Sequence, residues 1–225
     1  LVGGTGDDLV VGGAGADIMM GDDGIVVKFD GVAPGQDLVF GNGDVTLAEA
    51  YRAGADTIAG SLDLILTDPV AGDGDDILSG GEGGDIILGG GGNDLGGGDV
   101  DPRSATANTD DPDTSTPDGR DVLIGDGGVV EFNQRRLQRI ASVVDEDPAS
   151  FRDTLYGDNG DDVIIGGQGS DGDNNGDDPT FNIPSLKIGF MLTGGHGPGR
   201  GPTDAEVSDE DVIIGDNGEL VYVGP

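Results

Sequence analysis

Aspartates spaced nine residues apart are the side chains of this sequence best suited to chemistry. They fall into three groups, which are Asp8 and Asp17; Asp76, Asp85 and Asp94; and Asp153, Asp162 and Asp171. Each group lies in glycine-rich stretches, which turn tightly and expose backbone carbonyl oxygens. Carboxylate and carbonyl oxygens are the hard ligands that calcium binds, about six to eight at a time. The spacing therefore predicts a row of calcium sites.

The residues between successive aspartates explain the spacing. In the nonapeptide 3–11, glycines occupy the first, second and fourth places, where they permit the positive φ angles and the close backbone approach of a tight turn. The aspartate at the sixth place is followed by an x-apolar-x triplet, which suits a very short strand with its central side chain pointing inward. Two nonapeptides make one coil, and stacked coils give two thin parallel sheets. The core expected between the sheets contains Val10, Met19, Leu78, Ile87 and Ile164.

Stacking brings aspartates of neighbouring coils close together. Residues one coil apart lie about 4.8 Å apart, which is the spacing between strands. Asp76 and Asp94 are 18 residues apart, as are Asp153 and Asp171, so we expect each pair to face one cation. Two carboxylates about 5 Å apart repel by about 1 kcal/mol in water, and by about 3 kcal/mol at an effective dielectric constant of about 20. A divalent ion would turn that repulsion into attraction.

The pattern Gly-Gly-x-Gly-x-Asp-x-apolar-x resembles the RTX, or haemolysin-type calcium-binding, repeat. The resemblance implies an all-β fold: a calcium-bound parallel β-roll or β-solenoid of stacked nonapeptide turns with irregular loop insertions. It also implies that carbonyl oxygens at the first and third places complete each site. The candidates for these carbonyls are Gly3, Gly12, Gly80, Glu82 and Gly89. Further metal-binding candidates are the fifth-place acids Asp7, Asp75 and Asp161, and the aspartates of partial motifs, Asp37, Asp56, Asp121 and Asp211.

A longer repeat lies over the nonapeptides. The motif Asp-x-x-x-Gly-Asp-x-Gly, followed by apolar residues, begins at Asp17, Asp121 and Asp211, and a weaker copy begins at Asp37. Counted from Asp37, successive units are 84 and 90 residues long. We therefore predict one continuous solenoid over 1–225. Its segments are a nonapeptide block at 1–36, one unit at 37–120, a second at 121–210 and the start of another at 211–225.

The longer motif departs from the nonapeptide pattern in its second half. Nine residues after Asp17, Asp121 and Asp211, where a ligand is due, the sequence has Val26, Val130 and Leu220. We interpret this half as a turn whose ligand has been replaced by an apolar residue. Calcium should then be missing on that side of the coil.

Two stretches lack the repeat. Residues 98–119, rich in Asp, Thr, Ser and Pro, contain almost no apolar side chain and suit an exposed loop. Residues 172–210 form a second irregular insertion, and Asp173 occupies a place that should be apolar, so regular coiling should stop near 172. The apolar run at 181–192 could form a strand or pack over the end of a coil. Residues 137–144, in which β-branched side chains gather toward the end, favour a strand.

Composition narrows the class of protein further. The chain has 47 glycines and 45 acidic residues against 10 basic ones, for a formal net charge of −35. Glycine and aspartate form helices poorly, which argues against a helical fold, and the charge argues against binding to nucleic acid or anionic membranes. A disordered acidic chain is the alternative, but the hydrophobic 34% lies in short Val/Ile/Leu clusters. There is no cysteine for a disulfide or a zinc site.

No constellation typical of an enzyme is present. His196 is the sole histidine and lies in a glycine-rich stretch without a recognisable nucleophile. We therefore predict a non-enzymatic calcium-binding segment of a longer secreted or cell-surface bacterial protein, serving as a stiff stalk, adhesin or filament. The alternative is a C-terminal secretion and folding module of a secreted protease or lipase. Export by a type I pathway is implied by the resemblance. The expected partners are calcium ions and neighbouring repeats, with end-to-end self-association left open and membrane insertion not expected.

Overall fold

The described part of the chain is entirely β. The computed structural model describes residues 1–28, 38–41, 62–67, 73–98, 119–133, 135–143, 153–157, 162–167, 191–193, 212–214 and 218–222. These residues form sixteen strands and no helix. The strands are β1 (Leu9–Ala14), β2 (Ile18–Met20), β3 (Gly24–Lys28), β4 (Leu38–Gly41), β5 (Leu62–Thr67), β6 (Ile77–Glu82), β7 (Ile86–Leu88), β8 (Leu95–Gly97), β9 (Val122–Ile124), β10 (Gly128–Asn133), β11 (Arg136–Ser142), β12 (Thr154–Tyr156), β13 (Val163–Ile165), β14 (Met191–Thr193), β15 (Val212–Ile214) and β16 (Glu219–Val221). The all-β prediction is therefore confirmed.

Two parallel sheets contain the short strands that follow the aspartates. Sheet 1 has the order β1-β6-β8-β12-β14, and sheet 2 has the order β2-β7-β9-β13-β15. Along the chain, the strands of the two sheets alternate, so each pair of strands makes one coil. Every pairing in both sheets is parallel and in simple register, for example Leu78 opposite Gly96 and Ile87 opposite Leu123. The arrangement is consistent with an RTX β-roll.

The central residue of each triplet fills the space between sheets 1 and 2. One buried cluster contains Val10, Met19, Leu78, Ile87, Leu123, Leu155 and Ile164. It includes all five residues predicted for the narrow core, and it alternates between the two sheets because successive strands belong to opposite sheets. Gly96 takes the central place in β8, where a Cβ would lie 2.9 Å from the Leu155 side chain. A larger neighbour thus fills the space that glycine leaves.

A third sheet, which the sequence reasoning did not predict, packs on the other face of sheet 2. Sheet 3 is antiparallel and has six strands in the order β16-β11-β10-β5-β3-β4. Its Ile65, Val130 and Ile140 join Met20 and other flanking residues of sheet 2 triplets in one buried cluster. A separate cluster of Ile25, Val27, Leu64, Leu66, Val129, Ala141 and Val143 is buried on the opposite face of sheet 3. The described strands therefore form three layers.

The longer sequence motif builds this third layer. In the copies that begin at Asp17, Asp121 and Asp211, a sheet 2 strand is followed by a sheet 3 strand, as β2 by β3, β9 by β10 and β15 by β16. The second glycine of the motif is required because the chain doubles back: a Cβ on Gly128 would meet the side chain of Ile124, four residues earlier. The interpretation of Val26, Val130 and Leu220 as part of a ligand-free turn is therefore wrong. They lie in strands of sheet 3.

Sheets 2 and 3 advance together along the stack. Between β2 and β9, and again between β9 and β15, sheet 2 takes two strand steps. Sheet 3 also takes two steps from β3 to β10 and two from β10 to β16. One longer repeat thus adds two strands to each sheet, so the layers stay in register as units are added.

Three other predictions can be compared with the described strands. Parallel stacking is present beyond residue 172, since β14 pairs with β12 and β15 pairs with β13. β14 begins in the apolar run 181–192, for which a strand was one alternative, and the stop of regular coiling near 172 stays a prediction because 168–190 lie outside the described residues. The weaker motif copy after Asp37 contains β4, which pairs antiparallel with β3 and so differs from the other copies. The strand expected at 137–144 is confirmed by β11. The proposed unit boundaries remain predictions.

No helix in the described part is long and apolar enough to cross a membrane.

Candidate metal-binding columns

Four aspartates stack into one column where the chain passes from sheet 2 to sheet 1. The backbone N–H of Asp8 donates to Oδ1 of Asp76 at 2.8 Å, and that of Asp76 donates to Oδ1 of Asp94 at 2.8 Å. The N–H of Asp94 donates in turn to Oδ1 of Asp153 at 2.9 Å. We call this set the first column. It confirms that Asp76 and Asp94 are neighbours in the stack.

A matching set, the second column, lies where the chain returns from sheet 1 to sheet 2. The N–H of Asp17 donates to Oδ1 of Asp85 at 2.7 Å, and that of Asp85 donates to Oδ1 of Asp121 at 2.7 Å. The N–H of Asp121 donates to Oδ1 of Asp162 at 2.9 Å. Asp121, which the sequence offered as a partial-motif candidate, therefore stands in line with three nonapeptide aspartates.

In the middle of both columns, Oδ2 of the aspartate takes no part in the ladder of hydrogen bonds. Oδ2 of Asp76, Asp85 and Asp94 is buried and has no hydrogen-bond partner among the described residues, and each of these side chains is at most 1% exposed. A buried anionic oxygen without a partner costs several kcal/mol or more unless something compensates it. These oxygens therefore suit a cation better than any other neighbour.

Each of these carboxylates lies beside a glycine. The space left by the glycine's missing Cβ is bordered by the carboxylate oxygen and by a backbone carbonyl oxygen. A methyl group built on Gly89 would overlap both Oδ2 of Asp94 and the carbonyl oxygen of Gly125, which lies one coil further on. In the second column, one built on Gly80 would overlap Oδ2 of Asp85 and the carbonyl oxygen of Gly98. The same pair of neighbours, a carboxylate and a glycine carbonyl, surrounds Gly3, Gly12, Gly21, Gly98 and Gly125.

The donor set fits calcium. Within the described ranges, no group of three or more acidic or histidine side chains converges on one point, so a site here must include backbone oxygens. Calcium accepts carbonyl and carboxylate oxygens together in flexible geometry, whereas zinc favours nitrogen and sulfur. The Asp oxygens and the Gly80, Gly89, Gly98 and Gly125 carbonyls would hold the ion. The carbonyl of Glu82, a third-place candidate, accepts the N–H of Gly15 at 2.7 Å, and its side chain is exposed.

Burial and neighbouring negative charges disfavour the ionised form of these carboxylates when no cation is bound. Burial is the main cause that raises the pKa of Asp76 and of Asp85 to about 6 and that of Asp153 to about 7. Burial, and then the nearby charge of Asp153, raises the pKa of Asp94 well above its usual value. Backbone N–H donors oppose these shifts without cancelling them. A bound divalent cation would supply the missing compensation.

Fifth-place side chains form a smaller exposed ladder beside the first column. The N–H of Asp75 donates to Oδ1 of Asp7 at 3.0 Å. Both the N–H and the side-chain amide of Asn93 donate to Oδ1 of Asp75, at 2.8 and 2.9 Å. The structure thus places Asp7 and Asp75 next to the column, with their own partners, and does not bring them onto the glycine spaces.

Several predicted site residues lie outside the described residues, so their assignment stays a prediction. They are Asp37, Asp56, Asp161, Asp171 and Asp211. Conversely, the sequence reasoning did not single out Gly21, Gly98 and Gly125, which occupy the first place of turns that an insertion interrupts. Gly21 and Gly125 carry a signal in the sequence, because each follows an apolar triplet directly, as Gly12 and Gly89 do, whereas Gly98 follows Leu95-Gly96-Gly97.

Comparison with known protein families agrees with this geometry. The profile of the RTX calcium-binding nonapeptide repeat matches the chain in four copies, over residues 1–25, 70–99 and 150–172. The chain carries RTX repeats. The matched residues include the turns of Asp8, Asp76, Asp94 and Asp153, and thus the whole first column. Sheet 3 strands β4, β5, β10, β11 and β16 fall outside the RTX matches. No curated protein and no solved structure matches the chain significantly.

Proposed function

We propose that this segment is a non-enzymatic calcium-binding module whose folding depends on calcium bound along both columns. The observation that carries the proposal is the pairing of a buried carboxylate oxygen with a glycine carbonyl in the space where a Cβ would lie. The pairing recurs at Gly80 and Gly89, on opposite sides of the stack. Hard oxygens from two successive coils meet there, so an ion that binds both must hold the coils together.

The mechanism is coupled binding and folding. Without calcium, the stacked carboxylates repel one another, and each buried oxygen carries a desolvation cost. With calcium, the same oxygens become attractive contacts between coils, and binding adds to the free energy of folding. A net charge of −35 would keep the calcium-free chain extended. A chain of this kind could be exported unfolded from a cell that is low in calcium and would fold outside.

A calcium titration followed by far-ultraviolet circular dichroism tests the proposal, with magnesium as the matched ion. We expect β signal to rise cooperatively with calcium, and to stay near its starting value with magnesium, which resists dehydration and demands octahedral geometry. Asp94→Asn should raise the calcium concentration at the midpoint. Asp113→Asn, which removes the same charge outside every nonapeptide, should leave it unchanged. No gain of β structure in the original chain would defeat the proposal.

The wider role that we propose is a stiff stalk or adhesin segment of a secreted or cell-surface bacterial protein. Support comes from the matched advance of sheets 2 and 3, because a fold that adds two strands to each layer per unit can be lengthened without limit. The gene sequence on both sides of this segment tests the role. Further units of 84–90 residues are expected. A protease or lipase domain directly upstream would instead support a secretion and folding module.

A further inference from the structure

A buried carboxylate stands at two of the points where the chain leaves the stack for sheet 3. Asp22 follows Gly21 directly and is 1% exposed, and Asp126 follows Gly125 and is 2% exposed. The corresponding second place is glycine in the uninterrupted turns 3–8, 12–17, 80–85 and 89–94, and it is aspartate in the turn 157–162, where Asp158 lies outside the described residues. Neither aspartate is at the sixth place of a nonapeptide. Their burial therefore has no explanation in the nonapeptide pattern.

Asp22 joins three separate segments through hydrogen bonds. Its Oδ2 accepts the N–H of Gly91, in the turn of the next coil, at 2.9 Å. Its Oδ1 accepts the N–H of Gly74, where the chain returns from the insertion, at 3.4 Å. Asp22 itself lies where the chain leaves sheet 2 for sheet 3. One side chain thus ties the departing strand, the returning strand and the following coil together.

The same packing is repeated where β9 leads into β10. A Cβ built on Gly90 would lie 2.7 Å from Cβ and 3.0 Å from Cγ of Asp22. A Cβ built on Gly167 would lie 2.8 Å from Cβ and 2.9 Å from Cγ of Asp126. Both glycines have positive φ angles, 114° and 104°. Two insertions of different length therefore use one contact, an aspartate lying over the second glycine of the next coil.

Chain length shows why such a contact is needed. In an uninterrupted turn the aspartate comes only five positions after the first-place glycine, as Asp94 does after Gly89. The interval from Gly21 to Asp76 is 55 residues, and that from Gly125 to Asp153 is 28. A short link holds the two ends together at little entropic cost, whereas a long one costs more. Yet Gly21 faces Oδ2 of Asp76 just as Gly89 faces that of Asp94.

We propose that Asp22 and Asp126 are positioning residues. They hold the insertions that follow Gly21 and Gly125 against the next coil, so that the first column remains continuous across these insertions. The inference rests on the calcium-dependent folding proposed above. Through the bonds to Gly91 and Gly74, Asp22 holds Asp76 in line between Asp8 and Asp94. Calcium would then bind at an interrupted turn as it does at an uninterrupted one, without a nonapeptide there.

Hydrogen exchange on the full chain in saturating calcium tests the contact directly. Asp22→Asn retains one acceptor oxygen but turns an N–H donor toward Gly91 or Gly74, so the amides of both glycines should exchange faster. Asp23→Asn removes the same charge from the adjacent, half-buried side chain and should leave both amides unchanged. Equal exchange of these two amides in the two variants would overturn the proposal.

A double-mutant comparison separates positioning from general support of the fold. We expect Asp22→Asn to raise the calcium midpoint about twofold, since the loss is shared among several ions. If Asp22 acts through Asp76, adding Asp22→Asn to Asp76→Asn should raise the midpoint no further. Added to Asp162→Asn in the second column, it should have its full effect. Full effects in both backgrounds would contradict positioning. Failure of the original chain to fold with calcium would instead defeat the proposed function.

Discussion

The two aspartate columns have the same kind of hydrogen-bond ladder, but the chain connects their members in different ways. Each consists of four carboxylates joined by N–H donation to Oδ1 of the next coil. The first column is interrupted after Gly21 and Gly125 by chain that enters sheet 3. In the second, the turns 12–17 and 80–85 are unbroken, and the interruption after Gly98 contributes no described strand. Continuity of a column therefore does not require continuity of the chain.

Charge also distinguishes the columns. Beside the first, the fifth places hold Asp7, Asp75, Asn93 and Arg152, and Asp22 lies buried nearby. Beside the second, the fifth places hold Ala16, Gly84, Arg120 and Asp161, and the charges of the last two cancel. The first column therefore concentrates more negative charge for the same backbone geometry. We expect the two columns to respond alike to changes in shape and differently to changes in charge.

The largest effects should come from filling the glycine spaces, and they should be equal in the two columns. Gly89→Ala and Gly80→Ala each place a methyl group against a carboxylate oxygen and a backbone carbonyl that cannot move away. Neither glycine has a positive φ, so the lost space is the sole obstacle. We expect each variant to lose about 3 kcal/mol of unfolding free energy or more in calcium, measured by denaturant titration.

Gly6→Ala provides the control for this pair. Its φ is 93°, but a Cβ there would have no neighbour within 4 Å. It should cost about 1–2 kcal/mol, the ordinary penalty for a side chain in the left-handed region. A loss at Gly80 no larger than that at Gly6 would mean that the glycine spaces are not essential to the columns.

Paired substitutions of aspartate should show whether a column acts as a unit. Asp76→Asn and Asp94→Asn remove neighbouring carboxylates of the first column, so their effects on the calcium midpoint should be strongly non-additive. Asp85→Asn and Asp94→Asn remove one carboxylate from each column and should add more nearly. Isothermal titration calorimetry would report both the midpoint and the number of ions. Equal coupling within and between columns would contradict two separate columns.

Acid should partly replace calcium, and more so in the first column. Burial raises the pKa of Asp153 to about 7 and that of Asp76 to about 6, above an unfolded value of about 3.9. The folded chain therefore binds more protons than the unfolded chain between these values. In chelator, the folded chain should therefore become more stable as pH falls from about 8 toward 4. The same gain is lost when pH rises back through the folded pKa values.

Circular dichroism in chelator across that range measures this effect. Asp94→Asn should remove a larger share of the gain than Asp85→Asn, because Asp94 also lies near the charges of Asp153, Asp76 and Asp22. Loss of β signal on acidification of the original chain would contradict the account.

The smallest effect should come from the exposed fifth-place ladder. Asp75→Ala removes the acceptor of two bonds from Asn93, but the side chain is exposed and its interactions are screened by solvent and salt. We expect a loss of about 0.5–1 kcal/mol in unfolding free energy. A calcium midpoint as strongly shifted as that of Asp94→Asn would make Asp75 a ligand instead.

Nonapeptide spacing was sufficient to pair Asp76 with Asp94 and to predict the core between sheets 1 and 2, but it did not connect the columns across the insertions, as from Asp8 to Asp76 or from Asp85 to Asp121. A period of nine fixes which residues share a place in successive coils, so Asp76 and Asp94 could be paired, and Val10 and Met19 assigned to the core, without coordinates. Such short-range rules apply because each coil contacts its immediate neighbours.

Sheet 3 could not be predicted by the same rule, because its contacts join segments that no period relates. β10 pairs with β5 across an interval occupied by other coils, and β11 pairs with β16. Residues 130–133 of β10 alternate apolar and polar side chains, which is typical of a strand, whereas the nonapeptide frame predicts a degraded turn there. Asp22 was missed for a related reason: its partners, Gly74 and Gly91, are 52 and 69 residues away.

The most direct test of the central claim is amide exchange within the columns as calcium is added. The N–H groups of Asp8, Asp76 and Asp94 donate to the next carboxylate of the first column, and those of Asp17 and Asp85 do so in the second. The account predicts that these amides become protected together as calcium fills the columns, and that magnesium leaves them exposed. Protection that is already complete in chelator at pH 8, or that calcium leaves unchanged, would contradict calcium as the ion that joins the coils.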